Sequence, residues 1–93
     1  MSSSARTVTL LTRAGCGACE LAWRVLVPIC AEFGSTLISV DVDDVAKNDP
    51  DLRAEYGDRL PVVLLDGREH SYWDVDVVRL RRDLGELRGG PRG

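Results

Sequence analysis

Histidine, cysteine and lysine are scarce in this chain. It has one histidine (His70), three cysteines and, among its twelve basic residues, a single lysine, Lys47. Fifteen acidic residues outnumber the basic ones, giving a net charge of −3 over 93 residues. Phosphate binding wants a strongly basic face, so nucleic acid is not the expected partner. The dominance of arginine over lysine reads as a bias of composition, so single arginines carry little weight as ligands. No apolar run approaches the ~20 residues a membrane span needs, and no membrane partner is expected. The leader Met1-Ser2-Ser3-Ser4-Ala5-Arg6 has no apolar stretch like that of a signal peptide, and a cytoplasmic location is expected. Repeats, low-complexity segments and linkers are also missing. One domain over residues 1–93 is expected, with flexible ends at 1–6 and 89–93.

What is there is ordinary in bulk and specific in one place. The composition, 44% hydrophobic and 29% charged, suits a soluble globular domain. The specific feature is Cys16-Gly17-Ala18-Cys19. It follows a strand-like run, Thr7 to Thr12, and opens a helix-like run, Glu20 to Phe33. A Cys-x-x-Cys at a strand-to-helix junction reads as a dithiol redox site. A helix N-terminus carries roughly +0.5 charge and unpaired N–H groups, and both favour a thiolate. The two-residue spacer lets the sulfurs meet and close reversibly. An inert pair and half of a zinc site are the competing readings. The other half would have to come from Cys30 and His70. Cys30 lies on the same predicted helix, about 16 Å from Cys19 at 1.5 Å per residue, so it cannot share a tetrahedral site. No metal is expected, and Cys30 is expected to be a buried, inert thiol.

Periodicity supplies the remaining elements. The helix over 20–33 presents Leu21, Val25, Leu26, Ile29 and Phe33 at helical spacing and stops at Gly34. Pro28 should kink it or start a new segment. A second strand spans Thr36 to Val42, followed by a solvated acidic loop with Asp41, Asp43, Asp44 and Asp49. Asp49-Pro50 starts a short helix, Leu52 to Tyr56, which Gly57 ends. Leu60 to Leu65 reads as a buried strand, Asp66-Gly67 as a hairpin turn and Arg68 to Tyr72 as the return strand. Asp74 is expected to cap a last helix carrying Val77, Val78, Leu80, Leu84 and Leu87. The order is β-α-β-α-β-β-α. It predicts an α/β domain with a mixed four-stranded sheet, helices on both faces, and a parallel first pair of strands.

That order, with Cys-x-x-Cys after the first strand and Leu60-Pro61 opening the third, resembles the thioredoxin fold. The length resembles glutaredoxins and small glutaredoxin-like bacterial proteins, over about Thr7 to Leu87. Thioredoxins carry Trp before the first cysteine, Pro between the pair and a buried acid six residues upstream; here these positions hold Gly15, Gly17-Ala18 and Leu10. Glutaredoxins usually have a Gly-Gly pair before the last helix; here the stretch is Tyr72-Trp73-Asp74-Val75-Asp76.

The resemblance implies a thiol–disulfide oxidoreductase with Cys16 as nucleophile and Cys19 as the resolving thiol. Gly17 and Ala18 would leave room for a bulky partner. Leu60-Pro61 would be a cis bond facing the redox pair, with the Leu60 backbone pairing to an extended substrate. Arg13 sits where glutaredoxins place a cation that contacts the glycyl carboxylate of glutathione. A disulfide-bearing protein or a glutathione mixed disulfide is the expected partner of a monomer, with the glutathione-coupled one favoured. Glutathione enters as a co-substrate and no cofactor is tightly bound. A non-catalytic binding module and a glutathione-assisted iron–sulfur carrier are the alternatives. His70, Tyr56 and Trp73 are expected to pack as core or sheet edge.

Overall fold

The computed structural model describes residues 6–89, with side chains to residue 85. Strand β1 (Thr7–Thr12) feeds helix α1 (Gly17–Phe33), which returns to β2 (Thr36–Asp41). A single turn, α2 (Val42–Val45), and a short helix, α3 (Pro50–Tyr56), lead to the hairpin of β3 (Val62–Leu65) and β4 (Arg68–Tyr72). Helix α4 (Val77–Gly89) closes the described chain. The sheet order is β2-β1-β3-β4. β1 runs parallel to β2 and antiparallel to β3, and β3 runs antiparallel to β4.

β1 is central because both of its faces are apolar. Val8 and Leu10 point to one side, where they meet Ala22, Leu26, Ile29 and Cys30 of α1 and Leu80 and Leu84 of α4. Leu11 points to the other, with Val42 and Val62, and with Leu52 and Tyr56 of α3 packed against them. Helices therefore cover both faces, as expected. The hairpin turn is also as expected: Asp66 (φ 53°) and Gly67 (φ 86°) both take the left-handed backbone that a two-residue type I′ turn needs. Asp66 also anchors the start of β1. Its carboxylate accepts from the Thr7 N–H at 2.9 Å and pairs with Arg6 Nε at 2.5 Å. The Thr7 amide, and then Arg6, hold the Asp66 carboxyl below its ordinary range. Of the ends expected to be flexible, 1–5 and 90–93 lie outside the described residues.

Several expectations need correction. α1 runs through Pro28 without a break. Pro28 lies on the exposed side, so the carbonyl it leaves free on Arg24 can take a water instead. The buried row of α1 is Cys19, Ala22, Leu26, Ile29 and Cys30; Leu21 and Val25 are 62% and 39% exposed. β2 ends one residue early. The Asp41 side chain accepts from the N–H groups of Asp43 and Asp44, which turns the chain into α2 and buries Val42. In α4 the cap is Asp76, which accepts from the Arg79 N–H at 3.1 Å; Asp74 instead bonds the Val75 N–H. Val78 of that helix faces outward, 79% exposed. Leu87 lies outside the described side chains.

Candidate redox site

The Cys-x-x-Cys loop is positioned by β1. After Thr12 the chain turns through Arg13 to Gly15, closed by a Cys16 N–H bond to the Arg13 carbonyl at 3.2 Å. Gly15 takes φ 80°, a conformation that side-chain-bearing residues adopt at a cost. Cys16 is the N-cap of α1, with extended φ/ψ, and its Sγ accepts the Cys19 N–H at 3.2 Å. Cys16 and Cys19 form a disulfide, with their Cα atoms 5.2 Å apart. Cys16 is partly exposed, Gly17 and Ala18 are exposed, and Cys19 is 2% exposed. Behind Cys19, under α1, lies a pocket of about 320 Å³ lined by Leu10, Thr12, Glu20, Trp23, Arg24 and Ser39.

Strand register brings the other elements to the same end. Leu11 pairs with Val62, so Thr12 lies beside Pro61. Leu60-Pro61 is cis. Leu60 packs its side chain against the Leu11–Val42–Val62 cluster, while no hydrogen bond to its own N–H or C=O occurs among the described residues. Trp73 stands directly beside it. The Trp73 N–H reaches the carbonyls on either side of Leu60, Arg59 at 3.0 Å and Pro61 at 2.7 Å.

Thr12 also pairs with Asp41 of β2, so the residues just beyond each strand are neighbours. Arg13 there donates to both carboxylate oxygens of Asp43, at 2.9 and 3.0 Å, and Arg53 of α3 stands 3.5 Å away. The hydrogen bond to Asp43 raises the Arg13 pKa, and the Arg13 guanidinium holds the Asp43 carboxyl below its ordinary range. The acidic segment is thus not a loosely solvated loop. Asp41 and Asp49 cap helices, and Asp43 clamps Arg13.

Trp73 is 63% exposed, against the packing role expected for it. Its φ is 69°, in a region that costs a bulky residue about 1–3 kcal/mol. Its indole N–H donates to the Asp58 carbonyl at 3.3 Å, and its ring meets Tyr72 edge-on. Next to them the Arg59 guanidinium lies over both Tyr56 (5.5 Å) and Tyr72 (5.4 Å). His70, by contrast, is buried as expected. It is the extra residue of a bulge in β4, and its Nε2 lies 2.8 Å from Asp83. Cys30 is buried and free, and burial pushes its thiol pKa up. No cluster of metal-ligating side chains occurs among the described residues. No described helix is long and apolar enough to cross a membrane.

The model of the glutaredoxin-like domain family (DUF836) matches residues 7–85. The chain belongs to this family. The glutaredoxin-like domain is also 56% identical, over 78 residues, to uncharacterised proteins of Mycobacterium tuberculosis and Mycobacterium bovis, covering 83% of this chain and 80% of theirs. A structural-genomics target protein from X. campestris is similar in structure, with TM-score 0.63, 33% identity, 90% of this chain and 99% of that one. Chloroplastic thioredoxin z shares the fold, with TM-score 0.67 at 18% identity, over 96% of this chain and 83% of its own. A glutaredoxin-like thioredoxin fold with its mixed sheet is thereby established, and the Cys16–Cys19 pair stands at the head of its α1.

Proposed function

We propose that the domain is a thiol–disulfide oxidoreductase in which Cys16 attacks and Cys19 resolves. The observation that carries this is the asymmetry of the pair. Cys16 is the accessible sulfur, at the N-cap of a seventeen-residue helix and bonded by a backbone N–H; Cys19 is the enclosed one. In the reduced protein the same N–H and the helix terminus favour the Cys16 thiolate. That thiolate attacks one sulfur of a substrate disulfide, and the other sulfur leaves as a thiolate that takes a proton from water. Cys19 then loses its proton and attacks Cys16 Sγ. The substrate's second thiolate departs and is protonated. Two electrons have passed to the substrate, and the Cys16–Cys19 disulfide remains. An external thiol reductant then reduces that disulfide back to the Cys16/Cys19 dithiol by the same kind of exchange and is itself oxidised.

Of the two substrate classes implied by the resemblance, a protein disulfide is the better supported. An internal polypeptide segment can use the free Leu60 backbone as an edge strand would. Glutathione as co-substrate is the weaker case, because Arg13, its expected carboxylate partner, already holds Asp43. The test is turnover of insulin disulfides with dithiothreitol, beside a mixed disulfide of glutathione with 2-mercaptoethanol. Wild type is expected to accelerate insulin reduction, Cys16→Ser to abolish it, and Cys19→Ser to accumulate a mixed disulfide on Cys16. Turnover that survives Cys16→Ser would end this reading.

A further inference from the structure

We propose that Trp73 is the specificity-determining contact of this site: it seats an apolar side chain flanking the cysteine of a protein disulfide and disfavours free glutathione. The proposal rests on the oxidoreductase reading and names its substrate class.

Four observations converge. First, Trp73 is tied to the carbonyls on both sides of Leu60, the residue whose own N–H and C=O are unpaired. The trans peptide that aims the Arg59 carbonyl at Trp73 aims the Leu60 N–H the opposite way, so an extended segment bonded to Leu60 is separated from the Trp73 backbone by that one residue, and its side chains reach the exposed indole across Leu60.

Second, the indole is fixed without being buried. Its backbone and ring N–H are both hydrogen-bonded, yet 63% of the residue faces solvent. A ring already ordered in the free protein loses little freedom when a partner covers it.

Third, the fold keeps Trp73 in a left-handed conformation, φ 69°, which a small residue or glycine would occupy more easily. Strain without burial is not accounted for by core packing.

Fourth, this is where the rings gather. Tyr56, Tyr72 and Trp73 stand here with Arg59 between the two tyrosines, and Trp, Tyr and Arg are the residues that dominate protein–protein hot spots.

Charge argues for an internal segment over the tripeptide. Glutathione carries two carboxylates. The cations at this end are engaged: Arg13 and Arg53 with Asp43, and Arg59 with the tyrosines and, at 3.7 Å, Glu69. Arg24 has no acidic partner among the described residues, but it lines the pocket behind Cys19. Next to Trp73 the chain offers Asp58 and Asp74, which repel carboxylates. An internal peptide segment brings no terminal carboxylate to this surface.

The experiment compares two substrates across Trp73→Ala, Trp73→Gly and Trp73→Phe, all in the full chain. Insulin is expected to lose about tenfold or more in kcat/KM with Ala and Gly, mostly through KM, and to recover in part with Phe. The glutathione–mercaptoethanol mixed disulfide is expected to change less than about twofold, or to improve with Gly, and the Trp73→Gly melting temperature is expected not to fall. An equal loss on both substrates, or a loss that follows a fall in stability, would show a structural role and overturn the proposal. No change on insulin would overturn it as well.

A second arm does not depend on turnover. Insulin B chain with its cysteines carbamidomethylated, which is uncharged at those positions and cannot exchange thiols, is titrated into oxidised protein while the two indole N–H resonances are followed. Trp73 is expected to shift and Trp23 to stay. A shift at Trp73 in a protein that reduces nothing would retain the surface and discard the oxidoreductase reading. No shift at Trp73 would discard the surface.

Discussion

The two faces of the sheet are built differently. Under α1 and α4 lies a continuous core running from Val8 and Leu10 through Leu26, Ile29 and Val63 to Leu80 and Leu84. Under α2 and α3 the buried cluster is small, Leu11, Val42 and Val62, and among the described residues α3 itself buries none completely. Helix ends and ion pairs hold that side instead: the Asp41 and Asp49 caps and the Arg13–Asp43–Arg53 cluster. The redox site straddles the two. Its cysteines ride on the heavily packed helix, while Leu60-Pro61 hangs from the lightly packed side. Under the proposed function, a stiffly held Cys16 beside a more yielding Leu60 edge suits exchange with varied disulfides, since the attack geometry is narrow and the docking geometry is not.

Truncation on each side sharpens the contrast. Leu26→Ala, at a site with no solvent exposure, is expected to cost about 2–5 kcal/mol, read as a shift of the urea midpoint. Leu52→Ala, on half-exposed α3, is expected to cost about 1 kcal/mol, because less apolar area leaves water. Equal costs would erase the distinction between the faces.

The contrast also marks what could be read beforehand. The elements, their order and the redox pair were legible because strand alternation, Gly and Pro punctuation and Cys spacing are local signals. The phase of α1 was legible in part: Leu26, Ile29 and Cys30 are buried as expected, while Leu21 and Val25 are not. Leu21 and Val25 outrank Ala22 and Cys19 in hydrophobicity, yet α1 turns its small residues toward the sheet. Close approach of a helix to a sheet favours such side chains, and a ranking by apolarity alone slips the face by one position, about 100°. The Arg13–Asp43 clamp joins residues thirty apart, and no local pattern announces it. A signal existed: parallel β1 and β2 end side by side, so whatever follows each strand must meet. The exposure of Trp73 had no such signal, because an aromatic pair such as Tyr72-Trp73 at a strand end reads as packing.

Smaller effects test the same comparison. Cys30→Ala, in the dense core, is expected to cost about 1 kcal/mol while leaving disulfide reduction intact, and native Cys30 should resist iodoacetamide until the protein unfolds. Loss of turnover in a folded Cys30→Ala protein would mean that the dense face contributes chemistry as well as support. On the light face, Asp49→Ala removes the α3 cap and is expected to cost about 1 kcal/mol. If it costs nothing, caps are not what holds that side.

The smallest effect concerns acid. The native Asp66 and Asp43 carboxyls lie below their ordinary range, so each contributes stability above about pH 3.9, the unfolded value. That contribution disappears as pH falls through their lower native values. Stability curves measured from pH 6 to pH 2 should therefore show a shallower acid decline for Asp66→Asn and Asp43→Asn than for wild type. Parallel curves would remove both carboxylates from the account.

The clamp on Arg13 has a consequence for the sulfur chemistry in solutions of differing ionic strength. A thiolate sustained by a free arginine would weaken as salt rises, since the screening length shrinks from roughly 30 Å at 0.01 M to roughly 3 Å at 1 M. Here the neighbouring guanidinium is already neutralised, and the donor to Cys16 Sγ is the Cys19 amide at 3.2 Å, too close for an ion to intervene. The reactivity of Cys16 at fixed pH should thus stay flat across that salt range. A thiolate that draws on backbone dipoles in place of mobile charge, as proposed for Cys16, behaves alike in brine and in dilute buffer.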